Sequence, residues 1–186
     1  MREKVKLFVG IIISIMLFSC SDRAEKIVGK STFTLDLNEK ATSDNSDKIH
    51  QLLDSLNATA ARADYNKYFS YFTTTATYNG TDATENWDKN SFMDWAKPYF
   101  DAKTTWNFKS IKRNIYFGEN DNIAWFDELL STQMKICRGS GVVVKKHNEW
   151  KIQQYVLSMT IPNSKLDEIV KIKTAEEDEI VNQLKK

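Results

Sequence analysis

The amino-acid sequence predicts an α+β domain in which about three N-terminal helices pack against a strongly curved antiparallel sheet, followed by a C-terminal helix. Three observations predict this class. Before residue 103 the apolar residues recur at a spacing near 3.6, which is typical of helices. After residue 103 they alternate with polar residues over four long segments joined by short turns. Gly139-Ser140-Gly141 indicates a bulge or a sharp bend, and a change of apolar face in the last segment indicates a bulge; such features curl a sheet.

The N-terminus has the features of an export signal. Arg2, Lys4 and Lys6 give it positive charge, and an uncharged run of 12 residues follows from Leu7 to Phe18. As a helix this run is about 18 Å long at about 1.5 Å per residue, whereas a bilayer core of about 30 Å needs about 20 residues. The order of positive charge, apolar run and small residue therefore predicts a cleaved signal at residues 1–19 rather than a permanent transmembrane helix.

The end of this run, Leu17-Phe18-Ser19-Cys20, resembles a bacterial lipobox. The resemblance implies cleavage before Cys20 and attachment of palmitate-type acyl chains, which anchor the protein to a membrane. Each buried methylene contributes about 0.8 kcal/mol, and more than one chain makes the attachment stable. An ordinary cysteine close to a signal peptide is the alternative. We expect the mature protein in the cell envelope, lipid-anchored outside the cytoplasm, either periplasmic or surface-exposed.

Charge and cysteine usage limit the other partners. Removal of residues 1–19 takes away three basic residues and one acidic residue, so the formal charge falls from +1 to about −1. A nearly neutral chain gives no electrostatic basis for binding nucleic acid. If Cys20 carries lipid, Cys137 has no partner for an intramolecular disulfide. We expect Cys137 to be a small apolar strand residue rather than a reactive thiol.

The mature chain is predicted to begin with a flexible tether. Residues 20–45 carry Cys20 and are otherwise polar with mixed charges, without a sustained apolar period, which is typical of a linker. A short strand at Ser31–Leu37 is the alternative for part of this segment. The folded domain is predicted at residues 46–163. Residues 164–186 are predicted to form a charged C-terminal helix, on which Glu176-Glu177-Asp178-Glu179 is a solvated face.

Three helices are predicted at the start of the domain. The first begins at Ser46, where apolar residues take a helical spacing. A short second helix covers Asp64–Phe72, and a strand at Thr73–Tyr78 follows it and ends at an Asn-Gly turn. The third helix covers Lys89–Asp101, where Pro98 predicts a kink or an early end.

Four consecutive strands are predicted after residue 103, and short turns join them into an antiparallel meander. Pro162 ends the last of them, since proline has no backbone N–H for the sheet. The four strands cover Trp106–Tyr116, Ile123–Thr132, Met134–Lys146 and Trp150–Ile161.

This order of helices followed by a bent sheet resembles the nuclear transport factor 2-like superfamily, and more closely its SnoaL-like branch. Residues 46–163 are covered by the resemblance. The segments that carry it are Trp95–Phe100, Ala124–Leu130, Cys137–Val142, Glu149–Ile152 and Tyr155–Ser158. The resemblance implies a cone in which helices cover a concave sheet and leave a cavity at the open end. Members include steroid isomerases, polyketide cyclases, dehydratases and association modules, so the fold does not determine the function.

Two acidic residues are the candidate catalytic groups. Asp127 and Glu128 interrupt an apolar strand, and neighbouring strand residues point to opposite faces, so one of them is expected on the concave side. A carboxyl group in an apolar cavity has a raised pKa and can act as a general base or acid. The alternative is an ion pair with Arg113 or Arg138 that fixes the strands.

The candidate ligand-binding residues are expected in or near the cavity. An arginine at the cavity mouth can bind a carboxylate or enolate through two hydrogen bonds, and aromatic side chains can line a pocket for a flat apolar ligand, although most of them belong to the core. The candidates are Arg138, Tyr155, Gln154, Trp106, Tyr78 and Trp87, with Trp95, Tyr116 and Trp125 as further aromatic residues. Many SnoaL-like relatives place a histidine at the position of Gln154. Glutamine can orient a ligand but cannot transfer a proton at neutral pH.

No metal site and no cofactor are predicted. His50, His147 and Cys137 do not form a cluster of ligands, both histidines are expected at the surface, and the sequence has no glycine-rich phosphate loop or nucleophile elbow. The leading hypothesis is a non-catalytic module that holds a small apolar or amphiphilic molecule at the cell envelope. The alternatives are an isomerase, cyclase or hydrolase that uses Asp127 or Glu128, and an association module that forms a homodimer through its sheet.

Overall fold

A computed structural model describes residues 22–119 and 121–185, with side chains from residue 42 onward. The predicted signal segment and Cys20 lie outside these residues. The chain divides into two compact units, residues 1–40 and 41–186. All of the described strands, and all of the described helices after the first, lie in the second unit. None of the described helices is long and apolar enough to cross a membrane.

The first helix, α1, covers Asp22–Ala61 and so begins well before Ser46, where the sequence predicts it. The alternative of a strand at Ser31–Leu37 is therefore wrong. Residues 22–45 contain one glycine and no proline, so nothing in them interrupts helical hydrogen bonding, even though they lack an apolar stripe. Within the second unit α1 buries Ile49, Leu53 and Leu56, which confirms the predicted apolar spacing.

The next elements follow the prediction closely. Asp64 caps the second helix, α2 (Tyr65–Ser70), by accepting a hydrogen bond from the Lys67 backbone N–H at 3.1 Å. The first strand, β1 (Phe72–Asn79), leads through a turn to a three-residue strand, β2 (Asn86–Asp88), that the sequence did not predict. The third helix, α3 (Lys89–Asp101), continues through Pro98 to its predicted end.

The meander forms as predicted, and the largest shift of boundary is at the start of its first strand. Its first strand begins at Lys109, and residues 102–108 form a loop instead. The strands are β3 (Lys109–Phe117), β4 (Ile123–Thr132), β5 (Lys135–Lys146) and β6 (Glu149–Met159). A short 3-10 turn at Asn163–Lys165 then leads into the C-terminal helix, α4 (Leu166–Leu184).

All six strands belong to one curved sheet of order β2-β1-β6-β5-β4-β3, in which β1 and β6 run parallel and every other neighbouring pair runs antiparallel. The predicted bulge in β6 is confirmed, since Gln154 pairs with Val142 whereas Ile152 pairs with Val143, which leaves Gln153 as the extra residue. The sequence predicts a bulge or a sharp bend at Gly139–Gly141, and the bulge is wrong, because β5 keeps an unbroken register with β4 there.

The α+β class and the curved sheet packed with helices are confirmed. Aromatic side chains fill the space between the helices and the concave face of the sheet. Tyr68 lies at the centre of this aromatic core, with its ring centroid 5.0 Å from Phe69, 5.4 Å from Phe100 and 5.6 Å from Trp106. Phe92 stacks on Tyr78 with a centroid distance of 4.0 Å.

Candidate functional site

A buried ion pair joins β3 and β4 beneath α1. Glu128 and Arg113 face each other across the two strands, and their side chains are 1% and 3% exposed. Arg113 Nε donates a hydrogen bond to Glu128 Oε2 at 2.9 Å, and Arg113 Nη2 lies 2.8 Å from the same oxygen. The sequence predicted this pairing as the alternative to a free catalytic carboxylate.

Both partners of this pair have further contacts. Tyr155 Oη donates to Glu128 Oε1 at 2.9 Å. Arg113 Nη1 donates to the backbone oxygen of His50 at 3.2 Å and lies 3.3 Å from His50 Nδ1, while Arg113 Nη2 lies 2.9 Å from Asp54 Oδ1. His50 is thus half-buried against Arg113 rather than on the surface as predicted, because this face of α1 covers the guanidinium group.

Gly139 provides the space that this polar cluster occupies. It lies opposite Glu128 on β5, and a Cβ atom at this position would lie 3.0 Å from Glu128 Cγ and 3.1 Å from Tyr155 Cζ, and nearer still to Tyr155 Oη. Gly141 similarly leaves room for the backbone oxygen of Gln154 and for the ring of Phe126. The glycines therefore allow a close approach of side chains instead of breaking the strand.

The cluster is poorly arranged for proton transfer to a ligand. Both carboxylate oxygens of Glu128 already accept hydrogen bonds from protein groups. Burial, followed by the nearby charge of Glu128, raises the pKa of Tyr155 well above its usual value, so the phenol stays protonated and neutral. Polar groups that are held by partners inside the protein in this way stabilise the fold.

Asp127 and Arg138 lie on the outer face of the sheet. Because neighbouring strand residues point to opposite faces, the side chain of Asp127 points away from that of Glu128. The side chains of Asp127 and Arg138 are 35% and 54% exposed, and Asp127 Oδ1 lies 3.9 Å from Arg138 Nη1. The prediction that Arg138 lies in or near the cavity is wrong, because Arg138 pairs with outward-facing Leu129, one residue from inward-facing Gly139. A contact of this kind is a solvent-exposed ion pair.

Gln154 is likewise exposed on the outer face, which corrects its predicted place in the cavity. The physical reason is the bulge at Gln153. Ile152 and Tyr155 are both buried although they are three residues apart, since the extra residue reverses the alternation between them. Tyr155 therefore takes the inward position that an unbulged strand would give to Gln154.

The predicted aromatic candidates have different environments. Tyr78 and Tyr155 are buried and stack with a centroid distance of 5.6 Å, so both belong to the aromatic core. Trp87 is half-buried and lies 4.8 Å from Trp95 between ring centroids. Trp106 is half-buried, with one side against the core and the other side lining a surface cleft.

This aromatic cleft has a volume of about 430 Å³. Its lining consists of three aromatic side chains and four neutral polar residues: Trp95, Tyr99, Trp106, Thr104, Thr105, Asn107 and Gln133. Trp95 and Tyr99 are 37% and 42% exposed, and their ring centroids are 5.1 Å apart. Among the described residues no charged side chain lines the cleft, so its chemistry fits an uncharged molecule with a flat apolar surface.

Helix α3 and the loop after it shape the cleft. Trp95 and Tyr99 are four residues apart and so project from one side of α3. The loop turns back at Lys103, whose φ of 54° is left-handed, and Thr105 Oγ1 donates to the backbone oxygen of Ala60 at 2.6 Å. This hydrogen bond fixes the loop to the end of α1 and sets the position of Trp106.

A second groove, of about 350 Å³, runs between α1, α2 and the β5–β6 turn. Three lysines line it, Lys48, Lys67 and Lys151, and Lys151 pairs with Glu149 at 3.0 Å. Among the described residues no group of three His, Cys, Asp or Glu side chains is placed to hold a metal ion. Cys137 is fully buried in β5, which confirms it as a small apolar strand residue.

Sequence reasoning missed several cleft residues. Tyr99, Thr104, Asn107 and Gln133 were not candidates, and Trp95 was only one of many aromatic residues. The available signal was the Trp95–Tyr99 spacing on a helix followed by Trp106, which places three large rings near one helix end. The contribution of Gln133 could not be found in this way, because it depends on how the β4–β5 turn meets the loop.

Comparison with known proteins agrees with the fold. The sequence pattern of the SnoaL-like domain matches residues 49–162. No curated protein matches the chain.

Solved structures resemble this chain at low identity. A domain of unknown function with a cystatin-like fold from Nostoc punctiforme matches with a TM-score of 0.58 and 14% identity, covering 76% of this chain and 94% of its own. A nuclear transport factor 2-like protein of unknown function from Pseudomonas putida has a TM-score of 0.55, 11% identity and coverages of 66% and 90%. A putative scytalone dehydratase from Novosphingobium aromaticivorans has a TM-score of 0.55, 9% identity and coverages of 66% and 89%. At this identity the likeness shows the fold alone.

Proposed function

Since this chain belongs to the SnoaL-like domain family, whose fold supports both binding and catalysis, we propose that it is a membrane-anchored envelope lipoprotein that binds a small molecule without catalysing a reaction. The ligand is uncharged, apolar or amphiphilic, and it lies in the aromatic cleft. One observation carries the proposal: Trp95, Tyr99 and Trp106 expose aromatic surface in a concave site, and the other described residues that line it are neutral and polar.

The dimensions and chemistry of the cleft support a small ligand. Its volume of about 430 Å³ falls in the range of roughly 300–1,000 Å³ that is usual for small-molecule sites. Exposed rings bury a flat apolar surface, while the threonine, asparagine and glutamine side chains can bind a hydroxyl or carbonyl group of the ligand. An ionic ligand would lose its hydration here without gaining a counter-charge.

The absence of catalysis is proposed from the residues that surround each acidic candidate. Glu128 is held by Arg113 and Tyr155 inside the fold, and Asp127 is on the outer face of the sheet. Neither carboxylate lines the aromatic cleft. A reaction that needs a general base beside the ligand would therefore need a group from elsewhere.

We expect Trp95→Ala to weaken binding of N-phenyl-1-naphthylamine, an uncharged flat fluorescent probe, about tenfold or more, because the variant removes a stacking surface. The free energy of unfolding should also fall, by about 1–3 kcal/mol, because the ring is only 37% exposed and packs against Trp87 and Tyr99. Titration of the probe by fluorescence, with urea unfolding in parallel, measures both quantities.

Trp125→Ala is the matched control for this measurement. Trp125 is 47% exposed and therefore similar to Trp95 in accessibility, but it lies on the outer face of the sheet and stacks on Tyr116. Its removal should leave probe affinity within about twofold, because the two sites are separate. Equal losses in the two variants, or no loss in Trp95→Ala, would reject the cleft as the binding site.

The membrane anchor is proposed from the sequence around Cys20 alone. We expect Cys20→Ala to abolish both incorporation of labelled palmitate and cleavage before residue 20, because the thiol is the acyl acceptor. The intact mass of the chain purified from bacterial cells gives both readouts, and Ser21→Ala serves as a control that keeps them. Label in the Cys20→Ala chain would contradict lipidation at this residue.

A second candidate, a protein-association role, is favoured by one observation. Tyr116, Ile123 and Trp125 form an exposed apolar patch on the outer face of the sheet, with 44%, 53% and 47% of each residue accessible. Apolar patches on a sheet face are common association surfaces. If this patch joins copies of the chain, Trp125→Glu should lower the mass measured by sedimentation equilibrium.

A further inference from the structure

The C-terminal helix α4 has an apolar stripe that no other part of the described chain covers. None of its 19 residues is buried. Leu166, Val170, Val181 and Leu184 are exposed to 50%, 49%, 42% and 79%, although they lie on one side of the helix together with Ile169 and Ile180. Helices in proteins obtain most of their stability by packing an apolar face, so this face needs a partner.

The stripe is symmetric about its midpoint at the level of Ala175. Two apolar groups, Leu166/Ile169/Val170 and Ile180/Val181/Leu184, flank a central polar pair, Lys173 and Glu177. Both central residues lie on the same side of the helix as the stripe, and Lys173 Nζ is 2.6 Å from Glu177 Oε1 within the helix. Reversal of the helix direction therefore exchanges each apolar group with the other and each charge with its opposite.

We propose that α4 pairs with α4 of a second copy of this chain in an antiparallel arrangement with twofold symmetry. Leu166 then meets the partner's Leu184, Ile169 meets the partner's Val181, and Val170 meets the partner's Ile180. Lys173 meets the partner's Glu177, and the symmetry repeats each contact, as an isologous interface requires. A polar layer of this kind fixes register and orientation in helix pairs.

The same charges argue against other occupants of the stripe. A parallel pair would place Lys173 beside the partner's Lys173 and Glu177 beside the partner's Glu177, which is repulsive. A membrane surface is also unfavourable. Helix α4 carries six acidic and two basic residues, whereas helices that lie on anionic lipid have a basic polar face.

Charge reversal tests the pairing. In Lys173→Glu, positions 173 and 177 are both acidic; in Glu177→Lys, both are basic. Each variant alone should raise the dimer dissociation constant about tenfold or more, since two symmetry-related attractive pairs become repulsive. An equimolar mixture of the two variants should recover the dimer as a heterodimer, because each acidic helix then meets a basic one. Sedimentation equilibrium of the full-length chain in a density-matched nonionic detergent measures these masses.

Lys171→Glu is the matched control, because it makes the same charge change on the side of α4 away from the stripe, and it should leave the dissociation constant within about twofold. The mixture distinguishes contacts between chains from the Lys173–Glu177 ion pair within one helix. Mixing the two variants can restore opposite charges between chains, but it cannot restore the ion pair within either chain. The proposal fails if the wild-type chain stays monomeric, if Lys173→Glu leaves the dimer intact, or if the mixture stays monomeric. A dimer that resists Lys173→Glu but dissociates in Trp125→Glu would assign association to the outer sheet face instead.

Discussion

Arg113→Met should lower the free energy of unfolding by about 3–5 kcal/mol, because it leaves the carboxylate of Glu128 buried without its counter-charge. Glu128 is 1% exposed, so water cannot replace the guanidinium group. Methionine has a similar length and fills much of the same space, which separates the loss of charge from the loss of volume. Urea unfolding followed by far-UV circular dichroism measures the change.

Arg138→Met is the control, because it removes the arginine that faces Asp127, the carboxylate next to Glu128 in the sequence. Arg138 faces Asp127 from the outer side of the sheet at 3.9 Å, and both side chains are accessible. An exposed pair of this kind contributes between zero and about 1 kcal/mol. Similar losses in Arg113→Met and Arg138→Met would mean that burial of the Glu128 pair does not determine its contribution.

A second substitution in the Arg113→Met background identifies the cause of the loss. Glu128→Gln removes the uncompensated charge and keeps an oxygen that can accept the hydrogen bond from Tyr155. The double variant should therefore be more stable than Arg113→Met by about 1–3 kcal/mol. A double variant as unstable as the single one would indicate that packing of the arginine side chain, rather than charge, is what the cluster needs.

The elements of this fold were predictable wherever a local pattern and its tertiary environment agree. The strand at Ile123–Thr132 has the predicted ends, because its inward residues Ala124, Phe126 and Leu130 are all buried and its outward residues are not. The start of α1 was mispredicted because residues 22–45 lack an apolar stripe, and such a stripe is the only helical signal that periodicity provides. The boundary of α1 thus needed information that periodicity does not contain.

The candidate site was less predictable, since it depends on which side of a strand faces inward. Sequence patterning recognised that β6 contains a bulge but could not place it at Gln153, and a shift of one residue exchanges Gln154 with Tyr155. The prediction that Arg138 lies in or near the cavity was wrong for a related reason, because Arg138 adjoins Gly139 in sequence yet points to the opposite face of the sheet. The sequence also could not show which of Asp127 and Glu128 points to the concave side. The structure shows that it is Glu128, which lies opposite Arg113 on β3.

The position of the candidate binding site could not be derived from composition. The sequence has many aromatic residues, and the same composition is compatible with a lined cavity or with a filled one. Close contacts among Tyr68, Phe92 and Phe100 fill the interior, so the exposed aromatic surface lies at the edge, on α3 and the following loop. Because the interior is closely packed, the candidate site lies at the cleft of Trp95, Tyr99 and Trp106 and not at the centre of the domain.

Gly139→Ala should lower the free energy of unfolding by about 1–3 kcal/mol, because the new methyl group overlaps side chains that cannot move freely. Its Cβ would lie 3.0 Å from Glu128 Cγ and 3.1 Å from Tyr155 Cζ, and both of those side chains are fixed by the buried polar cluster. At Gly118 the nearest atom to a new Cβ is the Ile123 carbonyl oxygen at 3.6 Å, so Gly118→Ala should leave stability unchanged or raise it by up to about 1 kcal/mol.

The cause of the loss at Gly139 can be tested with Tyr155→Phe. The phenol oxygen is the atom nearest to the new methyl group, so Gly139→Ala should cost less in a Tyr155→Phe background than in the wild-type chain. The sum of the two single losses would then exceed the loss in the double variant. This sign is expected when one change relieves a steric conflict that the other creates. Strictly additive losses in urea unfolding would mean that the glycine is required by the backbone of β5. Sub-additive losses would mean that β5 carries glycine here so that the Tyr155 hydroxyl can reach Glu128.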